Sequence, residues 1–424
     1  MLYAPAIAIA RLVRFAVRLV RPGGGSALPG LVLSKIAPKL LAKTLRSFPR
    51  GLVVITGSAG KSTTTKMVVA ILRDHGLDVF TNPSTANISQ GFFSAIVEQS
   101  DLTGRIRGDV AVLEMDEGHA AEISQSVNPN VVTLLNVLED QLDRFIDPSI
   151  VRSKLAEVAT RATDQLVINA DDQNLLLLAR DLSNTSAQRT YLGIEAAVTT
   201  AAPHGLGYAP THLAPIETPR VQAKIIDLQD NRCLLQIGDQ RVEISLPNRG
   251  LHFALDVLAA IQTSRVFLQS EFNLDSAVAT LNNLPPVFAR GEMVEVQGQK
   301  FEFILVQNPT SFQLNLDNLT TNPDRVFVAI GRDVHDPSWL WTVDYSRLKN
   351  IDVVSGFNAA EMALRFAYDD IQVDLVEPDL GVAFERFLSL PAPTSSVKTV
   401  IFSADAMRRL RRMLGFTSPD EVDR

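Results

Sequence analysis

The chain has 424 residues and a formal net charge of −7, and 46% of its residues are hydrophobic and 6% aromatic. This composition predicts a soluble globular protein of two or three domains and excludes disordered and fibrous classes. The negative net charge argues against a general nucleic-acid binder, because such proteins have a positively charged surface that contacts the phosphates. The single cysteine, Cys233, excludes an intrachain disulfide and any cysteine-based zinc or iron–sulfur site held by this chain alone.

The first 20 residues predict a basic amphipathic helix. Its arginines recur every three or four residues and fall along one side: Arg11, Arg14, Arg18 and Arg21. The opposite side is apolar and contains Ile9, Leu12, Val13, Phe15, Val17 and Leu19. The charges interrupt the apolar run, which a secretory signal or a spanning helix does not allow. The helix is expected either to contact a membrane surface or a partner, or to dock on the next domain as an ordinary surface helix.

A strand, a glycine-containing loop and a helix follow one another at residues 52–73. The β-branched run LVVIT at 52–56 precedes GSAGKS at 57–62, and helical spacing begins at Thr63. Such a loop directs backbone N–H groups and a helix N-terminus at phosphates, with Lys61 as a positive charge and Ser62 as a hydroxyl ligand for Mg²⁺. The strict pattern G-x-x-x-x-G-K-[ST] is not met because residue 55 is Ile, but the flanking strand and helix favour phosphate binding.

Three further strand patterns each end in acidic or amide residues. The run at 110–115 ends in Glu114, Asp116 and Glu117, that at 131–136 precedes EDQLDR at 139–144, and that at 166–169 precedes Asp171 and Asp172. The carboxyl ends of parallel strands meet at one edge, so the sequence predicts a ligand site there. Glu114 is the expected Mg²⁺ ligand, with a solvated loop acid as the alternative, whereas Asp116 and Glu117 are expected to be solvated loop acids rather than ligands.

These segments resemble the central ATPase domain of the Mur ligases. The similar stretches are residues 56–65, 82–91, 112–117, 136–144 and 169–172. Residues 24–30, the DQLDR segment and the C-terminal block from about 288 resemble more specifically the MurT-type subunits of lipid II isoglutaminyl synthase. The resemblance implies an α/β fold with a parallel-rich central P-loop ATPase domain and a smaller, Rossmann-like C-terminal domain. It divides the chain into an N-terminal helix and linker (1–44), the ATPase domain (45–285) and the C-terminal domain (286–424).

The resemblance also implies roles for individual residues. The nucleotide-binding set is Gly57, Ser58, Gly60, Lys61, Ser62, Thr63, Asn136 and Asp171. The metal ligands are Ser62 and Glu114, and the catalytic set is Lys61, Glu114, Arg290 and Asp333. Asn87 and Asp143 are expected near the carboxylate or a metal. Lys154 lies roughly where many Mur ligases have a carbamylated lysine, but its spacing favours a solvent-facing helical lysine.

The chain departs from the MurT pattern at several places. The four-cysteine zinc ribbon is absent, so no zinc is expected. Gln307 replaces the usual Lys before Asn-Pro, and Phe253 and Asp256 stand beside His252 where the family has asparagines. The family's G-R-D-V-S-W is interrupted at residues 331–339, so either Asp333 or, with less support, Asp336 carries the aspartate's role.

The implied reaction is ATP- and Mg²⁺-dependent amidation of the D-glutamate α-carboxylate of lipid II through an acyl phosphate. Cys233 has no histidine or glycine neighbour, so it is expected to be a buried hydrophobe, and ammonia must come from another chain. The resemblance implies a GatD-like glutaminase as that heterodimer partner and a cytoplasmic protein, with contact at the inner membrane face as a further expectation. The alternatives are a polyglutamylase-type amide ligase and a non-catalytic nucleotide-binding scaffold.

Overall fold

The computed structural model describes residues 3–20, 27–82, 89–138, 147–182, 185–246, 248–284, 290–319, 323–394 and 397–416. The described helices are α1 Ala4–Val20, α2 Ala27–Ile36, α3 Leu40–Leu45, α4 Lys61–Asp74, α5 Ser89–Gln99, α6 Glu117–Ser124, α7 Pro148–Ala159, α8 Gln173–Asp181, α9 Leu251–Leu268, α10 Leu274–Asn282, α11 Pro309–Asp317, α12 Ala359–Tyr368, α13 Leu380–Ser389 and α14 Ala404–Met413. The described strands are β1 Leu52–Thr56, β2 Val79–Thr81, β3 Val110–Glu114, β4 Val131–Leu134, β5 Gln165–Asn169, β6 Gln188–Ile194, β7 Ala223–Gln229, β8 Arg232–Ile237, β9 Gln240–Ser245, β10 Arg290–Val296, β11 Gln299–Leu305, β12 Val326–Ala329, β13 Asn350–Ser355, β14 Gln372–Glu377 and β15 Val397–Phe402. Short 3₁₀ helices lie at Ala196–Ala201, Gln269–Glu271 and Pro337–Thr342.

The first sheet has nine strands in the order β2-β3-β1-β4-β5-β6-β7-β8-β9. Its strands pair in parallel from β2 to β7, and β8 and β9 continue antiparallel. Helices cover both faces, so the central strands are apolar throughout rather than alternating. Along β1, Leu52 and Val54 face a core that includes α5 to α8, whereas Val53 and Ile55 face one that includes α4 and α9.

The second sheet has six strands in the order β10-β11-β15-β12-β13-β14. All its neighbours are parallel except the β10–β11 hairpin. Two apolar clusters lie on its faces, one with α11 and α12 and the other with α13 and α14. A large parallel-rich sheet followed by a smaller α/β unit confirms the predicted fold class. The boundaries expected at residues 45 and 286 stay predictions.

Helix α1 forms as the arginine spacing predicted, and it docks on the first domain through its basic side. Ile7 and Ala10 are fully buried, in a core shared with Leu33 of α2. The Arg11 guanidinium donates to the carbonyl oxygens of Val97, at 3.0 Å, and Ser100. Arg14 likewise pairs with the carboxylate of Glu98 at the end of α5. The side that carries Arg11 and Arg14 therefore faces the protein, and the opposite, apolar side faces outwards. The side chain of Arg18 and residue Arg21 lie outside the described parts of the chain.

Among the described helices, one segment, Leu251–Glu271, is long and apolar enough to cross a membrane. Most of this segment is buried inside the structure, where α9 packs against α4 and the first sheet. A core helix of a globular domain passes the same length and composition test.

Candidate active site

The loop between β1 and α4 has the backbone shape of a phosphate cradle. Gly57 and Gly60 have φ angles of 137° and 83°, which favour glycine. The Lys61 ammonium donates to the carbonyl oxygens of Gly57 and Ser58 and so lies over the loop. Ser62 and Thr63 occupy the first turn of α4, where the backbone N–H groups and the helix dipole favour an anion. Ser58, Gly60, Lys61 and Ser62 therefore line one cavity, whereas Gly57 and Thr63 are buried next to them and do not line it.

Asn136, expected near the nucleotide, braces this loop from the neighbouring strand. Its side chain accepts from the Ala59 N–H at 2.8 Å and donates to the Ala59 carbonyl at 3.2 Å. Its backbone carbonyl accepts from the Ser58 N–H at 3.0 Å. Because β4 lies beside β1, residue 136 follows the strand end nearest to the loop. The brace holds the loop in the shape that phosphate binding requires.

Asp256 on α9 contacts the same loop. Its Oδ1 lies 3.3 Å from the Thr64 hydroxyl, and a Cβ added to Gly60 would come within 2.2 Å of that oxygen. Phe253 and His252 line the same cavity, and their ring centres lie 4.2 Å apart with the ring planes tilted by 40°. The sequence singled out these positions only as departures from a family pattern. The contact spans 192 residues of chain, so no local pattern signals it.

The acidic end of β3 lies next to the loop because β3 is the other neighbour of β1. Glu114 pairs in register with Ile55 and is only 2% exposed. Its backbone N–H and carbonyl bond the Asn82 side chain at 3.1 and 3.2 Å. Asp116 is buried and accepts from the Gly118 N–H as the N-cap of α6. Both carboxylates line one cavity with Ser62.

Asp171 follows β5 but does not line this cavity within the described part of the chain. Burial, with the nearby carboxylate of Asp172 as a smaller cause, raises the pKa of Asp171 to about 7. Its Oδ2 is buried, without a hydrogen-bond partner among the described residues. Asp172 accepts from the N–H groups of Val137 and Asn174, at 2.6 and 2.8 Å, and caps α8. Asp172 therefore has a structural role, while Asp171 keeps an acceptor available.

The second domain closes the cavity, whose volume is about 280 Å³. It contributes Leu305 and the first turns of α11, beginning at Gln307 and Asn308. Asn308 accepts from the Ser311 N–H at 2.7 Å, and the Ser311 hydroxyl accepts from the Asn308 N–H at 3.1 Å, forming a capping box. The positive end of α11 thus faces the phosphate-binding loop across the gap between the domains.

A second cavity of about 950 Å³ adjoins the first. Both cavities are lined by Leu206, Tyr208, Gln307, Asn308, Thr310 and Leu314. The larger cavity extends to Asp333, whose Oδ1 accepts from the Ser403 hydroxyl at 2.6 Å. Asp336 lies in the same wall, but its carboxylate accepts from the Ser338 N–H at 2.9 Å and caps a 3₁₀ helix.

Several predicted residues lie apart from this site or outside the description. The Arg290 side chain, Asn87 and residues 139–146, which include Asp143, lie outside the described parts of the chain. Lys154 pairs with Glu157 at 2.7 Å on α7 and does not line the described cavity. Cys233 is fully buried in β8, and burial raises the pKa of its thiol to about 12. The described residues hold no group of three or more His, Cys, Asp or Glu side chains arranged for a metal ion.

Comparisons with known proteins agree with this geometry. The Mur ligase middle domain model matches residues 55–264, and the MurT ligase C-terminal model matches residues 305–398. The chain is similar in structure to MurF ligase from Thermotoga maritima in complex with ADP, with a TM-score of 0.64, 18% identity and coverage of 92% of this chain and 84% of that one. It is also similar to folylpolyglutamate synthase from Mycobacterium tuberculosis complexed with ADP and AMPPCP, with a TM-score of 0.64, 16% identity and coverage of 97% and 99%. The fold and site thus define an ATP-dependent ligase of the Mur type.

Curated relatives narrow the class. The chain is 25% identical to the MurT subunit of lipid II isoglutaminyl synthase (glutamine-hydrolyzing) from Streptococcus pneumoniae, over 82% of this chain and 83% of that protein. It is 24% identical to the subunit of the same name from Staphylococcus aureus, over 96% of this chain and 97% of that protein. The chain belongs to the MurT-type family of the Mur ligase superfamily.

Proposed function

We propose that this chain amidates the α-carboxylate of D-glutamate in the lipid II stem peptide, giving D-isoglutamine at the expense of ATP. The main support for the proposal is the similarity to MurT subunits over nearly the whole chain. The cavity between the domains, which contains the phosphate-binding loop, agrees with it. The substrate is lipid-linked, so we place the reaction in the cytoplasm at the inner face of the membrane.

The chemistry needs an activated carboxylate, because an amide cannot form while oxide is the leaving group. A carboxylate oxygen attacks the γ-phosphorus of ATP, and the bond from that phosphorus to the β–γ bridging oxygen breaks to release ADP. Ammonia then attacks the acyl carbon, phosphate leaves with the electrons of the broken C–O bond, and the nitrogen loses a proton. Lys61 and the N-terminus of α4 stabilise the negative charge that develops on the phosphoryl oxygens.

The donor set near the loop fits Mg²⁺. The Ser62 hydroxyl and the carboxylates of Glu114 and Asp116 line one cavity, and hard oxygen ligands suit this ion. When bound, Mg²⁺ would neutralise charge on the phosphates of ATP. The Oδ2 of Asp171, which has no hydrogen-bond partner among the described residues, is an acceptor of the kind that a nucleoside hydroxyl needs.

We further propose that ammonia comes from a GatD-like glutaminase subunit docked on the C-terminal domain. The buried Cys233 thiol, with its raised pKa, does not suit a nucleophile for glutamine hydrolysis. Asp333 is the aspartate that orients the partner's histidine, since Ser403 fixes it at the end of the sheet while Asp336 is engaged as a cap. The larger cavity, which reaches Asp333, adjoins the first cavity, which contains the phosphate-binding loop, and the two together offer ammonia a route.

Exposed apolar side chains of the C-terminal domain support this docking face, and one of them, Phe357, has its ring centre 5.4 Å from the guanidinium of Arg332. Phe357, Leu364 and Tyr368 are 64%, 61% and 76% exposed, and Trp341 packs edge-on to Tyr368. An exposed apolar cluster of this kind is typical of a protein–protein contact.

The decisive experiment is mass spectrometry of lipid II after incubation with the chain, ATP, Mg²⁺ and ammonium chloride. Free ammonia replaces the partner, and conversion of the carboxylate to an amide is expected. Lys61→Ala should abolish the conversion, with Lys154→Ala as a matched lysine control. A mass gain of a whole amino acid would instead indicate a polyglutamylase. ATP binding without any product, even with the partner present, would indicate a nucleotide-binding scaffold.

The partner proposal has its own test. With the glutaminase subunit and glutamine present, Asp333→Asn should abolish amidation, whereas free ammonia should restore it. Asp336→Asn is the matched control and should retain glutamine use. Retained glutamine use in Asp333→Asn would contradict the assigned role.

A further inference from the structure

The outward face of α1 is apolar over the part of the helix whose side chains the structure describes, residues 4–17. Six residues of this part are exposed and share an arc of about 120° at 100° per residue. They are Pro5, Ala8, Ile9, Leu12, Phe15 and Ala16. The three large side chains Ile9, Leu12 and Phe15 are 49%, 67% and 65% exposed. We call these six residues the α1 face.

The orientation of this face is fixed by contacts on the opposite side of the helix. Arg11 and Arg14 bond groups at the end of α5, and Ile7 is buried in the domain core. A rotation that hid Leu12 and Phe15 would break these bonds and expose Ile7. The apolar face is therefore a built feature of the folded domain rather than a loosely held terminal helix.

The N-terminal segment that forms the α1 face is basic, and Arg14 pairs with Glu98, a carboxylate beside this helix. Residues 1–50 contain nine Lys and Arg and no Asp or Glu, and the first acid along the chain is Asp74. Residues 51–424 contain 31 basic and 47 acidic residues, a net charge of −16. Lys35 and Lys39 are exposed where α2 leads into α3, and the Lys43 ammonium lies 5.0 Å from the ring centre of Tyr3, next to α1.

We propose that the α1 face, together with Lys35, Lys39 and Lys43, docks this protein on an anionic phospholipid bilayer. The apolar side chains enter the headgroup region while the lysines contact lipid phosphates, which is how interfacial helices bind. The positive charge of residues 1–50 favours an anionic bilayer over a neutral one. Because the rest of the protein is acidic, this charge would also orient the protein so that α1 faces the bilayer. This inference rests on the proposed function, because a lipid-linked substrate is what would require the protein to lie on a bilayer.

Co-sedimentation of the full-length chain with vesicles tests the proposal without nucleotide or lipid II. Vesicles containing phosphatidylglycerol should bind the chain at least about tenfold more tightly than phosphatidylcholine vesicles. Ile9→Ser/Leu12→Ser/Phe15→Ser should lower the affinity by at least about tenfold. The matched control Leu213→Ser/Met293→Ser/Met413→Ser, at exposed apolar positions elsewhere, should bind like the wild type. Circular dichroism and thermal unfolding would verify that both variants are folded.

The charge contribution has a separate pair of variants. Lys35→Gln/Lys39→Gln/Lys43→Gln should weaken binding to the anionic vesicles, whereas Lys300→Gln/Lys349→Gln, also at exposed positions, should not. Equal binding to anionic and neutral vesicles would overturn the proposed selectivity. An absence of vesicle binding by the folded chain would overturn the proposal and leave a protein as the occupant of the face. In that case amidation of lipid II by the same preparation would leave the ligase assignment intact.

A fluorescent label locates the contact directly. Cys233 is the single cysteine and is fully buried, so Phe15→Cys can be labelled selectively with a polarity-sensitive dye. Emission should shift to the blue on addition of phosphatidylglycerol vesicles, whereas a dye at Leu213→Cys should not respond. A response at residue 213 but not at residue 15 would contradict the assigned surface.

Discussion

Replacing Asp171 with asparagine should make the protein more stable at neutral and alkaline pH. Burial raises the pKa of this carboxyl from 3.8 to about 7, so the folded state resists its ionisation. The stabilising protonated form is complete below the unfolded pKa of 3.8 and is lost as the pH rises through about 7. At 1.36 kcal/mol per pKa unit, the penalty above this range reaches an upper limit of about 4 kcal/mol.

Urea unfolding of wild type and Asp171→Asn at a series of pH values measures this penalty. The difference in free energy of unfolding should be near zero at about pH 4 and should grow to a plateau above about pH 8, in favour of the variant. Asp181→Asn is the matched control, because Asp181 is exposed on the same segment and its pKa is lowered by a hydrogen bond from Arg180. A variant that is less stable than wild type at every pH would refute the reasoning, since it would mean that Asp171 is ionised and paired.

Three further predictions concern the loop and the domain contact. In Gly60→Ala the new Cβ would lie at a residue with positive φ and 2.2 Å from the Asp256 carboxylate, so both the backbone and the side chain would be strained. The ATP affinity measured by calorimetry should fall at least about tenfold. A second substitution, Asp256→Gly, removes the close contact and should recover part of that affinity. Asn136→Ala removes two side-chain hydrogen bonds to the loop, which contribute about 1–3 kcal/mol of free energy. It should therefore lower the ATP affinity more than it lowers the unfolding midpoint. The His204 ring pairs mainly with Asp317, across the two domains, and this pairing raises its pKa above the usual 6.5. An NMR titration should show the raised pKa. The ion pair is present at low pH and is lost as the pH rises through that pKa. Asp317→Asn should lower that pKa, and an unchanged value would contradict the pairing.

The strands and the loop were predictable because their signals are local. The runs at 52–56, 110–115 and 166–169 became β1, β3 and β5 within a residue or so at each end, and glycine and lysine positions marked the loop between β1 and α4. The order of the parallel strands then brings Glu114 beside the loop, as expected from the rule that ligands bind at the carboxyl ends.

The features that sequence reasoning missed depend on tertiary packing. Asp256 reaches Gly60 only because α9 crosses the same face of the sheet as α4. The periodicity of α1 defined two sides of a helix but not which side the domain would bury. Arginine usually faces solvent, whereas here Arg11 and Arg14 find backbone and carboxylate acceptors on α5.

The two domains approach each other closely at Gly207, which has no side chain to hold them apart. Gly207 has a φ of 71°, and a Cβ there would come within 2.3 Å of the Thr310 side chain on α11. Any larger residue at this position would push α11 away from the first domain and enlarge the shared cavities. The width of the cleft is therefore adjustable from a loop that has no part in phosphate binding. A larger residue at position 207 would therefore also move the first turns of α11 relative to the phosphate-binding loop, so room for a bulkier acceptor and the fit of the nucleotide would change together.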